Sequence, residues 1–249
     1  MRYHYRLIII TFFLYPVVLS AQDETDNQIW LDYYHYYQFK PHWTVYGDAG
    51  YRTITDELTW MMIYSRPSIS WSKKKLFDLN GGIGFFYTFN YDTVNNFEIR
   101  PWQGIKIKWP SLKHMSFYQY VRLEERFNFP VDTWAMEFNL RFRYKIGFKA
   151  KLYTIDRELP KYLYLPFSIE VFANVGPQLS EKFTNKDRIT LGIGYRANRE
   201  WAIELDFTLQ GSRTGQDQQF TSSDRIFQFK LRRYFSSSPF KQKDSDYAD

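Results

Sequence analysis

The chain contains no cysteine, so it can form neither a disulfide nor a lipid-modified amino-terminal cysteine. No apolar run after position 21 approaches the roughly 18 residues of a membrane-spanning helix, which excludes a bundle of such helices. Basic residues are spread along the chain rather than gathered in one patch, and the formal charge of +6 is mild. We therefore expect no nucleic-acid partner.

Histidine is also scarce, since only His35, His42 and His114 follow position 21. Three scattered histidines without cysteine give no metal-ligand pattern, and we predict no metal and no other cofactor. The glycine-rich run Gly81–Gly84 lies inside a predicted strand rather than between a strand and a helix, so it does not indicate a phosphate-binding loop.

The segment 1–21 predicts a secretory signal peptide. Arg2 and Arg6 precede an apolar core that ends at Leu19, and Ser20-Ala21 provides a small-residue exit. Removal of both arginines with this segment lowers the formal charge from +6 to +4. The alternative is an amino-terminal membrane helix, for which the run is short and interrupted.

Strict alternation of apolar and polar residues dominates the rest of the chain and is clearest between Ser116 and Lys149. Charged residues first take the even positions; after a turn signal at Pro130–Asp132, the apolar residues take them. A period of two is typical of β-strands, and these segments are roughly twice the usual strand length of about 5–6 residues. Aromatic residues make up 21% of the chain, a supply that fits the interfacial belts of a membrane barrel.

We predict an all-β fold, a transmembrane antiparallel up-and-down barrel formed by residues 22–235 and followed by a polar tail at 236–249. The alternation marks eleven candidate strands. They are Ile29–Phe39, Trp43–Arg52, Thr59–Trp71, Leu76–Asn90, Phe97–Trp109, Ser116–Phe129, Trp134–Lys149, Leu163–Val175, Arg188–Ala197, Trp201–Gln210 and Ile226–Phe235. Closure with both termini on one side needs an even number, so we predict 12 strands, with 10 as the alternative. Gly211–Asp224 is expected to be the longest external loop.

A ladder of charged residues is predicted to face the lumen, because a charge in the middle of a lipid-facing wall costs about 2–4 kcal/mol. Its members are Glu98, Arg100, Arg122, Glu124, Arg126, Glu137, Arg141, Arg143, Glu170, Lys230 and Arg232. One interpretation is a set of self-satisfied ion pairs that fills a narrow lumen. The other is a constriction that selects anionic or zwitterionic solutes.

Several short motifs resemble a family of uncharacterised outer-membrane β-barrels, domain of unknown function 2490. The matching residues are Trp30, Arg52, Glu98-Ile99-Arg100-Pro101-Trp102, Arg122-Leu123-Glu124-Glu125-Arg126, Arg141-Phe142-Arg143-Tyr144 and Arg188 with Gly192-Ile193-Gly194-Tyr195. The resemblance spans roughly residues 28–235 and implies an outer-membrane barrel without supplying an activity.

The predicted function is therefore an integral barrel of a Gram-negative outer membrane, either a narrow pore or a structural envelope component. Expected partners are outer-membrane lipid with lipopolysaccharide, the barrel-assembly machinery that reads a last strand ending on Phe235, and small ionic solutes. One alternative is a lipid-modifying enzyme with a serine–histidine pair at the rim, although no serine stands at a spacing that points to a histidine. The other is a secreted soluble β-protein that binds a ligand.

Overall fold

A computed structural model describes residues 26–55, 58–74, 76–156, 161–175, 186–213 and 220–236 of the chain. The predicted signal peptide and, apart from Ser236, the predicted polar tail lie outside these residues. The described residues form eleven strands of 11 to 20 residues. These are β1 Asp26–Lys40, β2 Trp43–Ile54, β3 Trp60–Lys74, β4 Phe77–Asn90, β5 Asn96–Lys108, β6 Met115–Pro130, β7 Glu137–Asp156, β8 Lys161–Val175, β9 Lys186–Arg196, β10 Trp201–Arg213 and β11 Phe220–Ser236. No helix in this described part is long and apolar enough to cross a membrane.

Consecutive strands pair in antiparallel fashion, and the sheet closes where β1 meets β11. That last pairing is parallel and runs without a break from Asp26 opposite Asp224 to Gln38 opposite Ser236. Closure leaves no strand edge exposed to pairing with another chain. The fold is thus a closed, mostly up-and-down barrel.

The barrel has eleven strands among the described residues, so the predicted count of 12, and the alternative of 10, are wrong. The prediction required an even number because it assumed that the first and last strands pair antiparallel. A parallel seam removes that requirement, and it places Asp26 and Ser236 at opposite rims. The eleven candidate segments themselves each correspond to a strand.

Some strand ends differ from the predicted ones. Strand β7 begins at Glu137 rather than Trp134 and continues to Asp156. Trp134 has a positive φ of 53°, which a residue in an extended strand does not adopt, so the strand cannot start there. Both ends of the predicted loop Gly211–Asp224 belong to strands, because β10 reaches Arg213 and β11 starts at Phe220, whereas residues 214–219 lie outside the described ones.

The connections between strands divide the barrel ends into two rims. One end, which we call the loop rim, is where β2, β4, β6, β8 and β10 end, and its fully described connections are 91–95 and 131–136. The other end, the turn rim, is where β1, β3, β5, β7 and β9 end, and its fully described connections are 41–42, 109–114 and 197–200. The chain enters β1 from the loop rim and leaves β11 at the turn rim.

The strand register fixes the width of the lumen. A path that steps from each residue to its partner on the next strand starts at Glu137 of β7 and, after one circuit of the barrel, returns to β7 at Lys151. The offset between these two positions along β7 is the stagger of the sheet. Eleven strands with that stagger tilt by about 40° and place the backbone about 11 Å from the barrel axis. Long side chains from opposite walls therefore meet at the centre.

The two walls of the barrel have inverted polarity relative to a soluble protein. Among the described residues, 25 polar or charged residues are buried but only 13 apolar ones. Large exposed apolar side chains instead occupy the outer wall of every described strand except β6, for example Leu205 and Phe227, each 54% exposed. Even-numbered positions face the lumen in ten strands, whereas odd-numbered positions face it in β7, as the reversed alternation predicted.

Candidate functional site

The lumen is organised around Glu124 of β6, which is fully buried. Its carboxylate accepts hydrogen bonds from Arg141 at 2.5 and 2.8 Å and from Arg143 at 2.6 Å, both on the neighbouring β7. Arg122 and Arg100 lie 3.5 and 3.9 Å away. Four guanidinium groups thus surround a single carboxylate.

Two further carboxylates extend this arrangement around the wall. Glu98 on β5 pairs with Arg100 at 2.6 Å and with Arg126 at 2.7 Å, using both of its oxygens. Glu170 on β8 pairs with Arg143 at 2.6 Å and lies 3.9 Å from Arg188 on β9. We call these nine residues the arginine–glutamate network: Glu98, Glu124, Glu170, Arg100, Arg122, Arg126, Arg141, Arg143 and Arg188. It carries three negative and six positive charges.

A second group of ion pairs lies on β10 and β11. Lys230 contacts Glu204 at 3.2 Å and Asp206 at 2.6 Å, and Arg232 contacts Glu204 at 3.1 Å. The hydroxyl of Tyr164 on β8 donates a hydrogen bond of 3.0 Å to Glu204. Here two carboxylates balance two cations, so this group is neutral.

A third group joins the barrel seam to β2 and β3. Asp48 forms a two-pronged ion pair with Arg66. Asp32 accepts hydrogen bonds from Tyr64, at 2.7 Å, and from Gln228 of β11 across the parallel seam. These bonds tie the first strand to the last one by side chains as well as by the backbone.

Aromatic rings hold several of the arginines by their faces. Arg52 lies 3.9 Å from the centre of the Trp30 ring and 4.5 Å from that of Tyr64. Arg188 lies 5.1 Å from the Trp30 ring and 4.8 Å from the Phe172 ring. The Trp30 ring on β1 therefore contacts two guanidinium groups, one from the adjacent β2 and one from the more distant β9.

A cluster of aromatic side chains lies in the lumen near the turn rim. Tyr36 stacks on Tyr234 with ring centres 4.8 Å apart and on Tyr46 at 6.1 Å, and Ala202 packs against them. Arg196 covers the Tyr234 ring at 3.8 Å. Between this cluster and the loop rim, a cavity of about 200 Å³ remains.

Lumen-facing glycines make room for these side chains. A Cβ atom added to Gly194 would overlap the ring of Tyr164, and one added to Gly192 would overlap the carboxylate of Asp206. The motif Gly192-Ile193-Gly194 thus has a packing explanation. The outward position between the two glycines belongs to Ile193, which is exposed.

Ten of the eleven residues in the predicted charge ladder lie in the lumen and form ion pairs there. Glu137 differs, because it is the first residue of β7 and lies exposed at the loop rim. The ladder omitted other charges of the lumen, among them Arg52, Arg66, Asp48 and Arg188. All of them stand at even positions, so the same alternation rule applied to every strand would have found them.

Two of the histidines, His35 and His42, lie apart from this network. His42 bonds the backbone carbonyl of Ser72 at 2.8 Å in the turn rim, and His35 stacks beside Tyr33 at 6.3 Å on the outer wall. Within the described ranges, no group of three or more acidic or histidine side chains is arranged to hold a metal ion.

Residues 27–221 match the model of one family, described as "Protein of unknown function (DUF2490)". The chain belongs to the DUF2490 family. No curated protein and no solved structure matches the chain. The matched residues include every motif that suggested the DUF2490 resemblance, and each motif contributes at least one side chain to the lumen: Trp30 and Arg52, Glu98–Trp102, Arg122–Arg126, Arg141–Tyr144, and Arg188 with its two glycines.

Proposed function

We propose that the protein is an integral outer-membrane β-barrel whose lumen is obstructed by its own ion pairs around a small cavity, and that it serves the envelope as a structural barrel rather than as an open channel. The observation that carries this proposal is the inverted polarity of the two walls. A soluble protein rarely leaves a contiguous apolar surface of more than a few hundred Å² in water. Here large apolar side chains are exposed on the outer wall of ten of the eleven described strands.

The height of the apolar surface supports membrane insertion. On β4, the outward positions from Phe77 to Phe89 are all apolar, glycine or aromatic. On β10, the outward positions from Trp201 to Leu209 are all apolar or aromatic. A tilted strand needs about 9–11 residues to cross the hydrocarbon core. Both strands meet this requirement.

Tryptophans at the turn rim supply one of the two interfacial belts expected of such a barrel. Trp43, Trp71 and Trp201 lie in strands within a few residues of that rim, and Trp109 directly follows β5. Trp43 and Trp71 pack with ring centres 6.4 Å apart. Tryptophan is enriched at the depth of lipid headgroups because its ring is apolar and its N–H is polar.

Occlusion of the lumen follows from its width and its contents. Guanidinium groups and carboxylates from β5 to β8 meet within hydrogen-bonding distance, and the tyrosine cluster lies closer to the turn rim. The refolded protein in a planar bilayer should therefore show no steady channel openings. Steady openings with unit conductance would refute occlusion while leaving the membrane barrel intact.

Location is tested separately by fractionation of cells that express the full chain. We expect the protein in the outer-membrane fraction, soluble only in detergent, and migrating faster on gels before heating than after. Extraction into buffer without detergent would refute membrane insertion and would favour the secreted soluble protein.

One observation favours a second function, a narrow anion-selective pore. The cavity is lined by ten cationic side chains and five carboxylates among the described residues. If the bilayer experiment gives openings, the reversal potential in a salt gradient should show preference for anions over cations.

A further inference from the structure

We infer that the lumen cavity is a binding site for a small oxyanion, a phosphate or carboxylate group, held between the guanidinium groups of Arg52 and Arg188. The inference rests on the barrel and its lumen side chains, and it does not depend on membrane insertion. It assigns a class of ligand to the lumen cavity, which has no part in the proposed structural role in the envelope.

The walls of the lumen carry an excess of positive charge around the cavity. The arginine–glutamate network has three more positive than negative charges, and Arg52 adds another cation close to it. Like charges at short range in a partly dry interior repel strongly, because the effective dielectric constant is far below that of water. A bound anion removes this repulsion.

Arg52 identifies the centre of the site. In the described part of the chain its contacts are the two aromatic faces of Trp30 and Tyr64, and no carboxylate pairs with it. Its Nε is buried and has no hydrogen-bond partner. A buried N–H group left unpaired is costly, so a ligand that accepts this bond is favoured.

Arg188 supplies the second donor. It bonds the side-chain oxygen of Gln210 at 2.6 Å and reaches Glu170 only at 3.9 Å. Arg52 and Arg143 lie near enough to repel it electrostatically. Both guanidinium groups contact the Trp30 ring, so the two donors lie close to one another at the cavity wall.

The chemistry of the ligand follows from this geometry. A guanidinium group stacked on a ring keeps its N–H bonds in the plane, where they meet the paired oxygens of a carboxylate or phosphate. The cavity has a volume of about 200 Å³, enough for a small anion and several water molecules. It is smaller than the roughly 300–1,000 Å³ of a pocket for a drug-sized molecule, which favours a small anion.

The test is titration calorimetry of the full refolded chain in detergent. Three ligands are compared: inorganic phosphate, succinate as the carboxylate probe, and chloride as an anion that is not an oxyanion. We expect saturable binding of phosphate or succinate to the wild type, and at least tenfold weaker binding to Arg52→Gln. The matched control is Arg233→Gln, which removes an arginine that stacks on Trp201 and Phe235 outside the lumen and should leave binding unchanged.

Loss of Arg52 leaves no carboxylate unpaired, so Arg52→Gln is expected to fold, and heat-dependent gel migration checks this. If it does not fold, Arg188→Lys replaces it and should weaken binding by a similar factor, because a lysine keeps the charge but not the planar fork. Absence of saturable binding to the wild type, equal binding by Arg52→Gln, or equal binding of chloride would each overturn the site. Failure of membrane insertion would appear in the fractionation experiment and not here.

Discussion

Glu124 gives the sharpest prediction for the stability of the barrel. Its replacement by glutamine keeps the shape of the side chain and removes the one negative charge that four arginines share. Removing one partner of a buried ion pair typically costs about 3–5 kcal/mol, because the other charge stays buried without compensation. Glu124 is fully buried and has two partners within 2.6 Å, so we expect Glu124→Gln to lose at least that amount.

The assay is urea unfolding in lipid vesicles followed by tryptophan fluorescence. Glu125→Gln is the matched control, since it removes the same charge from the next residue, which lies on the outer wall opposite Leu140. We expect the control to change the free energy of unfolding by less than about 0.5 kcal/mol or to raise it, because a charge on a lipid-facing wall is unfavourable.

A double substitution separates loss of the ion pairs from loss of packing. Arg141→Gln combined with Glu124→Gln removes one cation together with the carboxylate, so it should cost less than the sum of the two single changes. Additive effects, or a Glu124→Gln variant as stable as Glu125→Gln, would refute the role given to Glu124.

The remaining predictions concern packing and closure. Gly194→Ala should lower refolding yield and stability, because the added methyl group overlaps the Tyr164 ring. The control Gly81→Ala should lower neither, because its Cβ would approach the Trp102 carbonyl at an ordinary 3.6 Å. Equal behaviour of the two variants would contradict the packing. Cysteines at Tyr33 and Leu231, paired across the parallel seam, should form a disulfide under mild oxidation, and the parallel register would be wrong if they did not.

Most of the fold could be predicted from sequence because the alternation of apolar and polar residues is a local signal. Each strand shows its own two faces, and the reversal of phase before Glu137 marked the change to odd lumen positions in β7. The parallel closure between β1 and β11 could not be predicted in the same way, and the assumption of antiparallel closure turned a correct count of eleven segments into a prediction of 12 strands. Whether β1 and β11 run parallel depends on pairing between residues from opposite ends of the barrel sequence, such as Trp30 and Gln228, and no local pattern reports it.

The site was predictable in its members but not in its pairing. Alternation places Glu98, Glu124 and Arg141 on the inner wall, but which arginine meets which carboxylate depends on stagger between strands. The special position of Arg52 is also invisible in sequence. A lone arginine between two aromatic rings is recognised only when Trp30 and Tyr64 are seen on the strands beside it.

The most direct test of the membrane barrel is the accessibility of a spin label on the outer wall. A nitroxide attached to a cysteine at Leu205, in the middle of β10, is compared in lipid vesicles with one at Asn198, exposed at the turn rim. The chain has no cysteine of its own, so each label is unique. We predict that the label at Leu205 collides with oxygen dissolved in the bilayer and is shielded from a water-soluble nickel chelate, with the reverse at Asn198. Equal access of the chelate to both positions would contradict the account.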